Sequence, residues 1–281
     1  MKTSPFAFRH ICAHGHALPA LCLFVSIASV APLGAAAIFS ENFNQITTSG
    51  TAITEANTAF TGHSFTYSSI TSLFDTNDYF GEGTDNTVAR FVDSDTSFSA
   101  RLDWNGGSTA RVFTLSFDFF IRNPTAFADN QIQFDLFTST DFASLGAIGS
   151  LMLNADGTAD FRGTEAFSFS MDTKHSLRFV CNISDASLTD YHSSADLDVD
   201  SVDIWLDGLR VASDLAISTS LADGASFQGF RMRTGRVVRG PAYVDNVEIV
   251  SGAVPVPEPS SIALFMGVAG LAFVTYSRRR A

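Results

Sequence analysis

"SVDIWLDGLRV", Ser201–Val211, decides the fold. Val202, Ile204 and Leu206 recur at every second position, while Asp203 and Trp205 fall between them. That period of two belongs to a β-strand with one face in a core. Asp207-Gly208 then reverses the chain, because Asp-Gly accepts the positive φ angles of a type I′ turn. Leu209 and Val211 resume the alternation, so the stretch is a β-hairpin.

The same pattern spreads outward from it. In "RVFTLSFDFFI" (Arg111–Ile121), Phe113, Leu115, Phe117, Phe119 and Ile121 share a face, with Thr114, Ser116 and Asp118 on the other. "QIQFDLF" sets Ile132, Phe134 and Leu136 inside, and "SLRFVCNI" does so with Leu177, Phe179, Cys181 and Ile183. "FQGFRMR" and "AYVDNVEIV" supply the last strands, the second with Tyr243, Asp245, Val247 and Ile249 expected on one side. Gly, Asn, Asp and Ser clusters separate these runs, helical periodicity is almost absent, and no fixed repeat suggests a propeller. The expectation for 38–252 is an all-β, antiparallel β-sandwich.

Composition supports a large core and excludes one partner class. Of 281 residues, 46% are apolar and 27 are phenylalanine. The formal charge is −12, and Lys2, Arg9, Arg278, Arg279 and Arg280 all lie in the terminal segments, so the middle is more acidic still. Such a charge repels nucleic acid. Cys181 is the one cysteine between the termini and reads as a small buried hydrophobe.

Both ends carry targeting signals. Lys2 and Arg9, the apolar run Ala17–Ala31 and the small residues Gly34–Ala37 form the three regions of a secretory signal peptide, 1–37, cleaved after Ala37. At the other end, 253–281 combines Pro257, Glu258, Pro259 and Ser260 with an apolar stretch, Ser261–Tyr276, and Arg278, Arg279 and Arg280. As a helix that stretch spans about 24 Å at 1.5 Å per residue, the short limit for a transmembrane helix. The arginines would stay cytoplasmic.

This tail resembles the PEP-CTERM protein-sorting signal of Gram-negative bacteria. The resemblance implies export, transient anchoring in the inner membrane, processing by an exosortase near Pro257–Ser260, and delivery to the cell surface or extracellular matrix. Signal peptidase and exosortase are then the processing partners.

The body carries a second resemblance. "HSLRFVCNI" followed by "VDIWLDGLRV" resembles the paired strands of laminin-G-like, concanavalin-type jelly rolls, with a galactose-binding-type jelly roll as the nearest competitor. "FSENFN" (Phe39–Asn44) and "YVDNVEI" resemble the first and last strands of secreted sandwich domains. Domains of that kind frequently hold a structural calcium where those strands meet, which here implies Glu41 and Asp245.

Other candidates are weaker. Acidic clusters occur at Asp75 and Asp78, at Asp93 and Asp95, and at Asp196, Asp198, Asp200 and Asp203. The last starts like an EF-hand loop but has Ser201 where glycine is needed, and Asp207 is taken by the turn. A parity shift at Ser201 marks a bulge or a bend with solvated carboxylates instead. Trp104 in "LDWNGGS", read as a turn-like loop, and Trp205, on the face opposite Ile204 and Leu206 and so either exposed or against a second sheet, are candidate sugar platforms. Arg231, Arg233, Arg236 and Arg239 offer an anionic contact or balance nearby carboxylates.

No catalytic constellation stands out. The glutamates of the body are Glu41, Glu55, Glu82, Glu165 and Glu248, none with the spacing Glu-x-Asp-x-x-Glu. Asp245 and Glu248, three apart on a strand, are expected on opposite faces. His63, His175 and His192 show no metal spacing. The chain reads as a non-enzymatic surface or matrix protein that contacts polysaccharide. The alternatives are a carbohydrate-active enzyme assembled from distant strands and a purely structural matrix component.

Overall fold

The computed structural model describes residues 36–48, 53, 58, 70–75, 78–83, 85–91, 101–122, 131–139, 147–192, 195–219, 221–234 and 242–254. Pro257–Ser260, the apolar stretch Ser261–Tyr276 expected as a helix, Arg278–Arg280 and nearly all of the expected signal peptide lie outside the described residues. So do Asp93, Asp95, Arg236 and Arg239. Among the described residues no helix is long and apolar enough to cross a membrane.

The strands in chain order are β1 (Ala37–Glu41), β2 (Ile70–Phe74), β3 (Thr87–Phe91), β4 (Arg101–Trp104), β5 (Val112–Ile121), β6 (Gln131–Phe137), β7 (Ala147–Asn154) and β8 (Thr158–Phe161). They continue with β9 (Thr164–Ser168), β10 (Lys174–Asn182), β11 (Leu188–His192), β12 (Ala195–Leu197), β13 (Ser201–Leu206), β14 (Leu209–Ala216), β15 (Gly229–Thr234) and β16 (Ala242–Ser251). The larger sheet runs β14-β13-β10-β5-β16-β3-β2, with β1 also on β16. The smaller runs β4-β15-β6-β7-β8-β9, and β11–β12 form a separate hairpin. All pairings are antiparallel.

The two large sheets face each other across a phenylalanine-rich core, as the alternation requires. Phe117 of β5 stacks on Phe134 of β6 at 4.0 Å between ring centroids, and Phe161 of β8 meets Phe179 of β10 at 5.9 Å. Phe113, Leu115, Phe119, Ile121, Leu177, Cys181, Val202 and Ile204 join the same buried cluster. The Ser201–Val211 hairpin forms as its sequence dictates, with Leu206 opposite Leu209 and φ of 51° at Asp207 and 80° at Gly208. The parity shift at Ser201 is a turn through Asp200, at φ 50°, between β12 and β13.

β16 departs from the expected alternation. Val244, Val247 and Ile249 enter the core, whereas Tyr243 packs with Phe80, Val88 and Phe120 on the far side of the sheet. The cause is a β-bulge. Asp245 lies opposite Asp118 and Glu248 opposite Ser116, so three steps on β16 match two on β5, with Asn246 at φ 51° absorbing the extra residue. Asp245 and Glu248 therefore share a face instead of opposing one another. The bulge is also where the other edge of β16 passes from β3, along Ala242–Val244, to β1, along Val247–Val250.

Candidate functional site

The outer face of the larger sheet, away from the smaller one, is covered at both ends and open between them. At one end Tyr79 stacks on Phe120 at 4.4 Å, and Phe80 packs with Val88, Phe120 and Tyr243. Lys174 Nζ fastens this segment by donating to the Phe80 carbonyl at 3.0 Å. At the other end the β11–β12 hairpin lays Leu197, Leu188 and Tyr191 over Val180 and Trp205. The Tyr191 hydroxyl donates to Asp203 and accepts from Trp205 Nε1 at 3.3 Å. Arg210 Nη2 pairs with Asp203 at 2.7 Å, and the Asp214 amide donates to it at 2.8 Å. Burial first, and then the bond to Asp203, push the Tyr191 phenol above its ordinary range.

Between these covers lies a groove of about 280 Å³. Its floor is set by register. Trp205, Arg178, Ser116 and Glu248 follow one another across β13, β10, β5 and β16, and Ser176 and Asp118 form the adjacent row. Phe117, Leu177, Asn246 and Gly208 complete the lining. Asp118 accepts from Lys174 Nζ at 3.0 Å, Ser176 Oγ at 2.5 Å and Asn246 Nδ2 at 3.1 Å. Asn246 also donates to Glu82 at 2.7 Å, which ties the bulge to the covering segment. Arg178 is half-buried, and burial lowers its pKa against the raising influence of Glu248. The result is a shallow strip of fixed hydroxyl, amide, carboxylate and guanidinium groups bordered by an indole. It can offer and accept hydrogen bonds along an extended polar ligand.

The sequence-predicted candidates are placed less simply. β1 and β16 are neighbours, but Glu41 lies opposite Val247 on the core side and Asp245 points to the outer face, so the two carboxylates do not meet. Glu41, 3% exposed, accepts from the Phe43 amide at 2.6 Å and from Gln45 Nε2. Asp245, with no exposure, accepts from Asn86 Nδ2 and from the Asn246 amide, both at 2.8 Å. Burial, helped by repulsion from Glu82 and Asp118 and opposed by those bonds, pushes it up to about 7. Among the described residues no three His, Cys, Asp or Glu side chains cluster as metal ligands.

Trp104 closes β4 rather than a loop, and it is buried against Phe227, Phe39 and Phe230. Its ring packs in the core because its strand position faces the larger sheet. Trp205 lies on the outer face of the larger sheet, 6% exposed where it packs with the β11–β12 hairpin, and it lines the groove. Arg231 and Arg233 pair with Asp103 at 2.8 Å and Asp135 at 3.0 Å, so they balance carboxylates. His175 is held between Asp207 and the Ser170 carbonyl, bracing the hairpin turn.

Neither a protein-family model nor a curated protein matches the chain. Among solved structures it is similar to the conserved carbohydrate esterase of Shiga toxin-encoding bacteriophage phi24B, at 10% identity and a TM-score of 0.47, over 78% of this chain and 100% of that one. It is similar to Trypanosoma rangeli sialidase at 12% identity and a TM-score of 0.38, over 75% of this chain and 34% of that one. For the botulinum neurotoxin serotype D binding domain the values are 9% and 0.41, over 60% and 40%. The chain thus spans about a third of the sialidase. At TM-scores below 0.5 none of these likenesses bears on what the chain binds or does.

The sequence reading missed most of the groove. Ser116, Asp118, Ser176 and Arg178 are the outward positions of strands whose inward positions were plain. The signal available was their alternation on two strands that pair. Asp245 shares the outer face with Asn246 and Glu248 because of the bulge, which periodicity alone does not reveal.

Proposed function

We propose that the chain is an exported protein of the cell surface or extracellular matrix whose concanavalin- or laminin-G-like jelly roll binds polysaccharide without cleaving it. The groove across β13, β10, β5 and β16 carries this reading. Its polar groups are already oriented by their neighbours, and Trp205 lines it. Sugars offer the matching chemistry: many hydroxyls, and C–H faces that pack on aromatic rings.

A non-catalytic role is supported by how the groove carboxylates are used. Asp118 is committed to three donors, Lys174, Ser176 and Asn246, and Glu248 acts electrostatically on Arg178. The sorting part of the reading rests on the tail motif, Pro257–Ser260, and on Arg278–Arg280. Signal peptidase, an exosortase and the inner membrane are its processing partners.

Affinity electrophoresis of the full-length protein against a panel of bacterial exopolysaccharides, with a reducing-sugar assay in parallel, tests the reading. Retardation without released reducing ends, abolished by the groove-filling change Ser116→Tyr, is expected. Released reducing ends would establish the carbohydrate-active enzyme instead. No retardation by any polymer would leave a structural matrix component.

A further inference from the structure

The groove floor is uncovered over only a short length of each strand. Along β5 the outward positions are Thr114, Ser116, Asp118 and Phe120, and the first and last of them are buried, at 2% and 4% exposure. Phe120 packs under Tyr79 and Phe80. Thr114 packs under the chain that follows β16: its Oγ1 donates to the Gly252 carbonyl at 2.9 Å and accepts from the Val254 amide at 3.0 Å. Ala253 rests there on the cluster of Val180, Leu197 and Trp205, beside the β11–β12 hairpin. Two walls therefore cross the sheet, and the uncovered pair between them, Ser116 and Asp118, is about 7 Å apart along the strand.

Across the strands the floor is longer. Ser116 lies opposite Arg178, and Arg178 opposite Trp205. In the other direction Ser116 lies opposite Glu248, and Glu248 opposite Ser40 of β1. Phe39 and Val247 enter the core, so Ser40 and Glu248 project outward, and both are exposed. The row Trp205–Arg178–Ser116–Glu248–Ser40 crosses β13, β10, β5, β16 and β1, about 19 Å at 4.8 Å between neighbouring strands. It presents an indole, a guanidinium, a hydroxyl, a carboxylate and a second hydroxyl in turn.

We propose that the groove takes an extended, linear polysaccharide laid across the strands, with successive sugars over successive strands and Ser40 as the contact furthest from Trp205. This arrangement rests on the polysaccharide binding proposed above. The two walls set the direction, since a chain longer than the gap between them fits only along the row. The strand spacing is close to the rise per sugar of an extended β-linked chain, so such a chain meets a new polar group at each step. A coiled α-linked chain turns away from the row, and branches run into the walls. At one end Trp205 offers an aromatic surface to a sugar ring, while the hydroxyls, carboxylate and guanidinium supply donors and acceptors for the rest.

Calorimetric titration of the full-length protein with cello-oligosaccharides of two to six sugars tests this. Malto-oligosaccharides of the same lengths, the same sugar in a coiled chain, are the comparison. Affinity for the extended series should rise with each sugar up to five and then level, and the coiled series should bind about tenfold more weakly at five sugars. Ser40→Tyr should weaken binding of the five-sugar ligand about tenfold and of the three-sugar ligand much less, because the shorter chain ends before β1. Levelling at two or three sugars, or equal affinity for the two series, overturns the proposal. So does absence of binding by the extended series while an exopolysaccharide is retarded in electrophoresis, a result that spares the polysaccharide reading. If no polymer is retarded, that reading fails and this inference with it. The wild-type length series stands by itself should Ser40→Tyr fail to fold.

Discussion

Asp118 and Asn246 meet at 3.1 Å across β5 and β16, although unbroken alternation onward from Val244, which faces the core, would turn Asn246 inward. The contact exists because the bulge at Asp245–Glu248 adds a residue on one strand only. One extra residue thus puts Asp245, Asn246 and Glu248 on the outer face and returns Val247 and Ile249 to the core.

Asn246 is the residue on which that geometry turns. It occupies positive φ, which asparagine tolerates better than other residues with a Cβ, and its amide bonds both Glu82 and Asp118. Asn246→Ala should destabilise the fold by about 1–3 kcal/mol through backbone strain and lost hydrogen bonds. Asn246→Gly, which removes the strain but not the loss of bonds, should cost less. Urea denaturation of the two variants separates the contributions.

The core gives a second test. Phe117 and Phe134 stack across the two sheets at 4.0 Å with both side chains fully buried. Phe117→Ala should cost about 3–5 kcal/mol by cavity formation. A double-mutant cycle with Phe134→Leu should show coupling of about 0.5–1.5 kcal/mol, the scale of an aromatic pair beyond its buried area. Denaturant midpoints at constant m-value provide the measurement.

These two predictions also separate what was legible from what was not. Phe117, Phe134, Leu177 and Ile204 were plain because burial against a second sheet imposes a period of two on each strand. The turn at Asp207-Gly208 was plain because few residue pairs accept two successive positive φ angles. The groove was not, since Ser116 and Arg178 become a site only through the register of β5 on β10, a long-range fact. Trp104 was misplaced because "WNGGS" reads as a turn, while the strand that includes Trp104 is defined by its pairing with β15. Glu41 and Asp245 were correctly set on adjacent strands, but which face each occupies depends on the bulge.

Alkaline titration probes the covering hairpin. Burial and the bond to Asp203 keep the Tyr191 phenol protonated in the fold, so its pKa is raised relative to the unfolded chain. The stability it contributes is present below about pH 10, the ordinary tyrosine value. Above that the unfolded state binds fewer protons than the native one, and stability falls as pH rises through the raised native pKa. Tyr191→Phe should be less stable near neutrality and flatter in its pH dependence above pH 10. Thermal melts of both proteins from pH 7 to pH 11 check the sign, and parallel curves would show that Tyr191 does not titrate differently on unfolding.

The groove itself makes the last prediction. Arg178 sits between Trp205 and Ser116 in register, half-buried and influenced by Glu248, so under the proposed polysaccharide binding its guanidinium would be an oriented donor. Arg178→Lys keeps the charge but loses the planar fork that bonds adjacent hydroxyls together. Polysaccharide affinity should fall about tenfold, equivalent to about 1.4 kcal/mol, with the salt dependence of binding unchanged. Glu248→Gln, which removes a charge but keeps an acceptor, should change affinity much less. Affinity electrophoresis of both variants at low and high salt distinguishes oriented hydrogen bonding from bulk charge attraction. No loss in Arg178→Lys, beside a salt-sensitive change in Glu248→Gln, would mean that the groove acts only through its net charge.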